Sequence, residues 1–103
     1  MGLFDIYIAY VSWDSGGKRR PVLILEESTD SVTAFNITTQ YEAKSESIRA
    51  KYFTINDWQK AGLDRLSYVD TNHSITLPLT AVDNQVGRLS AADELRLIEF
   101  INQ

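Results

Sequence analysis

Lys18-Arg19-Arg20-Pro21-Val22-Leu23-Ile24-Leu25 sets three consecutive cations against an unbroken apolar run. Such a run, bounded by charge and glycine, reads as a buried strand with a charged mouth. Arginine keeps its charge at any cellular pH, and its planar fork matches the oxygens of a phosphate. Ser15-Gly16-Gly17 just upstream is poor in side chains and is read as a flexible approach for a large anion. The same cations also suit a second role, as gatekeepers that keep an apolar strand soluble. Composition alone leaves both readings open.

Upstream, Asp5-Ile6-Tyr7-Ile8-Ala9-Tyr10-Val11 alternates as a strand does, and a loop from Ser12 to Lys18 is expected to join it to the strand at 20–26 as a hairpin. Downstream, Ser31 to Thr38 is rich in β-branched and aromatic residues and reads as strand three, with Ile48 to Ile55 as strand four. Asn56-Asp57-Trp58-Gln59 followed by Gly62 predicts a short helix over 57–61, anchored in the core by Trp58. Tyr68-Val69-Asp70 and Ile75-Thr76-Leu77 flank a turn at Thr71-Asn72, Pro78 marks the exit, and Gln85 to Arg88 reads as an edge strand. Ser90-Ala91-Ala92-Asp93 is a capping box ahead of a helix through Ile101. Its apolar residues Leu95, Leu97, Ile98, Phe100 and Ile101 cover more than half the circumference, which is wide for packing on one side and points to a second apolar contact, a second subunit or a deep seat.

The chain of 103 residues suits one domain, 1–103, and its 44% hydrophobic content argues for a folded protein. No cysteine is present, which excludes thiolate and disulfide chemistry, and the lone His73 cannot build a histidine-rich zinc site. Metal-free chemistry or plain binding is what remains. No apolar stretch approaches the ~20 residues of a membrane span, and the N-terminus lacks a cationic segment followed by an apolar one, so a cytoplasmic protein with no membrane partner is expected. The net charge of −4 does not advertise a nucleic-acid binder. Its distribution matters more. Lys18, Arg19, Arg20, Lys44, Arg49 and Lys51 fall in the first half, so a fold that brings residue 18 beside 44–51 makes a basic patch on an acidic body.

The order of Asp5-Ile6-Tyr7, a loop ending Gly-Lys-Arg-Arg-Pro, the apolar strand, Ile37-Thr38-Thr39-Gln40, Trp58 to Leu63, Ser67-Tyr68-Val69 and Gly87-Arg88-Leu89-Ser90 before a helix resembles the MazF/PemK family of toxin ribonucleases. The likeness covers essentially the whole chain. It implies a mainly β, α+β fold: a compact SH3-like, PemK-like β-barrel with a short internal helix and a C-terminal helix. It also implies a homodimer that cuts single-stranded RNA without a metal or other cofactor, partnered by a cognate antitoxin with an acidic, partly disordered tail.

In that family the arginine before the proline and the threonine closing strand three are the catalytic pair, which map to Arg20 and Thr38. A guanidinium suits charge building on phosphate oxygens as a ribose 2′-hydroxyl attacks, and a threonine hydroxyl suits the same phosphate or a proton relay. The implied products are a 2′,3′-cyclic phosphate and a 5′-hydroxyl. Thr39 leaves open which hydroxyl faces the site. Asp70, five residues before Ile75, matches an acidic position of some relatives and serves as general base or turn former. RNA contacts are expected from Lys18, Arg19, Thr39, Gln40, Arg49 and His73, with Lys44 and Lys51 along the path; His73 stands where relatives often have Lys or Arg. Two other readings stay open: a barrel that acts by protein contact, as toxins that poison DNA gyrase do, and an inactive relative.

Overall fold

The computed structural model describes residues 1–103. In chain order the elements are β1 (Asp5–Trp13), β2 (Gly16–Glu27), β3 (Ser31–Thr38), α1 (Glu46–Arg49), β4 (Tyr52–Thr54), β5 (Tyr68–Asp70), β6 (Ile75–Pro78), a 3-10 turn (Leu79–Ala81), β7 (Val82–Arg88) and α2 (Ala91–Ile101). The seven strands run β4-β5-β3-β2-β1-β7, with β6 also on β3, and every pairing is antiparallel. The expected mainly β, α+β, barrel-like architecture is present, but β4 and β7 end the path without pairing to each other, so the sheet is not closed. No helix is long and apolar enough to cross a membrane.

Alternation along the strands divides the core. Ile6, Leu23, Ile37, Phe53 and Val69 face one way and pack with Leu89 and Leu97 beneath α2. Ala9, Val11, Val22, Ile24, Val32, Ala34 and Leu77 form a second cluster on the opposite side. Because strand side chains repeat every second residue, Arg20 shares the face of Val22 and Ile24, and Asn36 and Thr38 share that of Val32 and Ala34. By the same count Tyr52, Tyr68 and Asp70 stand opposite Phe53 and Val69. The second apolar face therefore continues into a polar patch. A bulge between Ile24 and Glu26 bends β2 against β3, and the ladder of β1 with β7 shifts register twice.

Several local expectations need correction. The loop from Ser12 to Lys18 is instead the end of a regular hairpin, with Trp13 paired to Gly16 and Val11 to Lys18. Ser15-Gly16-Gly17 is thus not a flexible approach: the backbone bonds of a two-residue turn leave it no slack. The alternation of Ile48 to Ile55 covers two elements. Ser45 caps α1, its Oγ accepting from the Ile48 N–H at 3.4 Å, and only Tyr52–Thr54 is strand. The predicted helix over 57–61 is a set of turns, because its bonds have mixed spans: Ala61 N–H to Asp57 O, Gly62 N–H to Gln59 O and Leu63 N–H to Trp58 O. Trp58 does pack against the first cluster. Gly62 sits at φ +90°, where a Cβ would meet the Val86 carbonyl oxygen at 2.3 Å, so this turn lies directly on β7. Tyr68–Asp70 and Ile75–Pro78 are both strands, but each pairs with a different end of β3.

The C-terminal helix begins as expected, with the Ser90 Oγ accepting from the Asp93 N–H at 3.1 Å. The box is not reciprocal. The buried Asp93 carboxylate accepts instead from the Asp57 N–H at 2.8 Å and from Arg96 at 2.7 Å, and Ser90 donates to Asp57 at 2.7 Å. These bonds tie the turn at 56–63 to the helix start. Leu97 is fully buried and Phe100 packs on Phe53, while Leu95, Ile98 and Ile101 stay 67%, 44% and 46% exposed.

Candidate active site

The polar end of the second face opens into a cleft of about 340 Å³. Its walls come from β2 (Lys18, Arg19, Arg20, Pro21), from β3 and the residues after it (Asn36 to Gln40, then Lys44), and from Tyr52, Ser67 and Asp70. Val22 pairs with Asn36 across the two central strands. Carrying that register two residues on sets Arg20 opposite Thr38, on the face they share with Asn36. Thr38 in turn pairs with Tyr68, and Asp70 pairs with Tyr52. Four neighbouring strands, β2, β3, β4 and β5, thus line the same concavity.

Individual groups are held to different degrees. The Thr38 Oγ1 accepts from the Gln40 N–H at 3.0 Å, which turns the chain out of the sheet and leaves the hydroxyl proton free to donate. One Asp70 oxygen accepts from the Asn72 N–H at 2.9 Å and its Nδ2 at 2.8 Å, leaving the second oxygen for other work. Burial pushes the Tyr52 phenol above its ordinary value, the Asp70 carboxylate adds to the rise, and Arg20 opposes it. Tyr52 therefore feels both the Asp70 carboxylate and the Arg20 guanidinium across the cleft. Arg20 Nε is buried with no hydrogen-bond partner, and so is Asn36 Oδ1. No three His, Asp or Glu side chains gather anywhere in a metal-binding arrangement.

An arginine and a threonine on facing strands of a barrel-like antiparallel sheet, with α2 across its far side, can be compared with known folds. The Mycobacterium tuberculosis toxin MazF-mt6 superposes with a TM-score of 0.73 at 29% identity, over 95% of this chain and 92% of that one. An Mtb toxin of solved structure matches at 30% identity and TM-score 0.64, over 81% of this chain and 89% of its own. This chain belongs to the MazF family of toxins. An endoribonuclease solved in complex with its cognate antitoxin, from mycobacterial species, shares the fold at 15% identity and TM-score 0.66, over 96% of this chain and 86% of that one. The sequence matches no protein-family model and no curated protein.

Within this MazF-type sheet the structure gathers most of the site residues the sequence suggested and leaves others outside. Lys18, Arg19, Arg20, Thr38, Thr39, Gln40 and Asp70 all line the cleft, as does Lys44. Arg19 contributes wall, but its guanidinium is committed to an ion pair with Asp83 on β7. Arg49 and His73 lie outside the lining. Arg49 stands 5.5 Å from the centre of the Tyr41 ring, within 3.9 Å of Glu42, and Tyr41 itself stacks on Tyr68 at 4.6 Å. α1 takes residues 46–49 out of the strand that begins at Tyr52, and Arg49 packs on Tyr41 outside the cleft. Lys51 is likewise absent from the lining. Asn36, Tyr52 and Ser67 were not anticipated. Asn36 was legible as a polar residue in register with Val32 and Ala34; Tyr52 and Ser67 carry no local signal.

Proposed function

We propose that residues 1–103 act as one cytoplasmic toxin domain of a type II toxin–antitoxin system, an endoribonuclease that cuts single-stranded mRNA at chosen sequences without a metal. The observation that carries this reading is Arg20, whose Nε is buried without a partner in a cleft it shares with Thr38 and Asp70. A buried N–H donor of a charged group left unpaired is costly unless a ligand supplies the acceptor. A phosphate diester does so.

In this scheme the ribose 2′-oxygen attacks phosphorus while the bond from phosphorus to the 5′-oxygen breaks, that bond's electron pair leaving on the 5′-oxygen. The free Asp70 oxygen takes the 2′-hydroxyl proton, and solvent protonates the departing 5′-oxygen. Arg20 meets the charge growing on the nonbridging oxygens, and Thr38 donates its hydroxyl proton to the same phosphate. The products are a 2′,3′-cyclic phosphate and a 5′-hydroxyl. Lys18 and Lys44 draw the strand in, and Thr39 and Gln40 border its path.

The family membership supports a cognate antitoxin as partner, and the endoribonuclease solved with its antitoxin shows this fold in such a complex. An acidic antitoxin tail suits the same cationic cleft, in competition with RNA. Homodimerisation is supported by the exposed apolar strip Leu95, Ile98 and Ile101 on α2. Incubating the chain with total RNA in excess chelator, beside Arg20→Ala, tests the activity: the native chain leaves 5′-hydroxyl ends and the variant leaves none. If the native chain cuts nothing, the protein-contact alternative takes its place.

A further inference from the structure

Two buried side-chain atoms in the whole molecule have no hydrogen-bond partner, Arg20 Nε and Asn36 Oδ1, and both belong to residues lining the same cleft. One is a donor and the other an acceptor. They do not satisfy each other, although Val22, the partner of Asn36 across the ladder, is only two residues from Arg20. Native interiors keep few such atoms, because each forfeits its hydration for nothing in return. A ligand that relieves both must present an acceptor beside a donor, within the space of neighbouring strand positions.

Asn36 is also placed where a contact would matter. It precedes Thr38 by two residues on the same face of β3, in the gap where the outer partner of β3 changes from β6, ending at Ala34, to β5, starting at Ile37. No flanking strand covers it there. An apolar residue would extend the run of Val32 and Ala34 without leaving an unpaired oxygen, so the carboxamide is not explained by packing.

Resting on the ribonuclease reading above, we propose that the Asn36 carboxamide oxygen accepts a hydrogen bond from the ribose 2′-hydroxyl next to the phosphate held by Arg20. The phosphodiester supplies the acceptor for Arg20 Nε, and the adjoining sugar supplies the donor for Asn36 Oδ1. An amide is no base, so Asn36 orients the nucleophile and recognises ribose while Asp70 takes the proton. The contact makes the site discriminate RNA from DNA through one named atom.

The test starts from a cleavage site that the native chain produces in RNA. Single-stranded oligonucleotides of that sequence are made with a 2′-amino or a 2′-fluoro group on the nucleotide 5′ to the cut. Both groups block cleavage, but only the neutral amine donates a hydrogen bond. The native chain is expected to bind the 2′-amino form about five- to twenty-fold more tightly, the usual effect of pairing a buried acceptor. Asn36→Ala should bind the two forms alike, while Asn36→Asp, which keeps an acceptor there, should retain a preference. On unmodified RNA, Asn36→Ala should lower kcat more than it raises KM, with an unfolding midpoint no lower than the native one. Equal binding of both analogues by the native chain overturns the inference, as does a 2′-amino preference that survives in Asn36→Ala. Loss of a preference among bases in Asn36→Ala, with the sugar preference intact, overturns it in favour of a base contact. A native chain that cuts no RNA overturns the ribonuclease reading and this inference together, whereas cutting without 2′ discrimination overturns this inference alone.

Discussion

Replacing Arg20 with methionine should abolish cleavage and, unusually for a half-buried position, leave the fold more stable. Methionine keeps most of the aliphatic stem but removes the guanidinium. In the native chain Nε is buried unpaired, a state that costs about 1–3 kcal/mol for an uncompensated donor. Lys18 and Lys44 in the same cleft add repulsion, and the attraction of Asp70 opposes it. Removing the guanidinium does not orphan Asp70, whose bonds from Asn72 remain. Taking the low end, the gain is about 1 kcal/mol, which for a domain of this size raises Tm by roughly 4–8 °C. Loss of a charged donor aimed at the reacting phosphate should at the same time lower kcat by about 10²–10³-fold or more. Urea midpoints and thermal scans at one protein concentration, run beside cleavage of a defined RNA, read both effects. A variant about 1 kcal/mol less stable than the native chain would show that the guanidinium is a structural group, and the argument from its unpaired nitrogen would fail.

Thr38→Ala should lose cleavage at a stability cost of about 1 kcal/mol, since only its bond from the Gln40 N–H is given up, while Thr39→Ala should cut normally. The reverse result in the same RNA assay would move the hydroxyl to Thr39. Tyr52 has its phenol raised by burial, so as pH climbs through the ordinary tyrosine range near ~10 the unfolded chain releases that proton first and native stability falls. Denaturation across that range should show Tyr52→Phe losing less stability than the native chain; parallel pH curves would contradict the burial effect. Leu95→Glu with Ile98→Glu places two charges in the exposed strip of α2 and should convert the proposed dimer to monomer in sedimentation. A native chain that sediments as a monomer would refute the dimer assignment.

The central strands were the legible part of the fold, and the reason is physical. Asp5 to Val11, Pro21 to Leu25 and Ser31 to Thr38 bury apolar side chains at every second or every position, so their pattern is dictated by the core they enter. Where burial is weak the pattern carried less. Residues 46–49 bury nothing, so the alternation that suggested a strand there had no core to enforce it, and the Ser45 cap decided for a helical turn. Trp58 anchors its segment as the pattern implied, yet three bonds of different span replace a helix because Gly62 must approach Val86. Arg20 and Thr38 could be named from the family order around them, and they meet because β2 and β3 pair in a register the two apolar runs dictate. Asp93 reads locally as a capping residue alone, because its bond from the Asp57 N–H spans parts of the chain that no local window joins.

The cleft and the second apolar cluster are one continuous face of the same strands, and the change from one to the other falls at a single step of register. On β2 it lies between Val22 and Arg20, on β3 between Ala34 and Asn36, and Val22 and Asn36 stand opposite each other. The apolar residues fix the register of these strands, since a slip of one position would turn Val22, Ile24, Val32 and Ala34 out of their cluster. The same register sets Arg20 toward Thr38. The alignment of Arg20 with Thr38 is therefore a by-product of core packing, and no separate device is required to set the pair. The arrangement also explains why the unpaired atoms of Arg20 and Asn36 can persist: the apolar cluster holds the two strands regardless of them. A substitution at Val22 or Ala34 would therefore disturb both the packing and the alignment of Arg20 with Thr38, whereas one at the polar end leaves the packing intact.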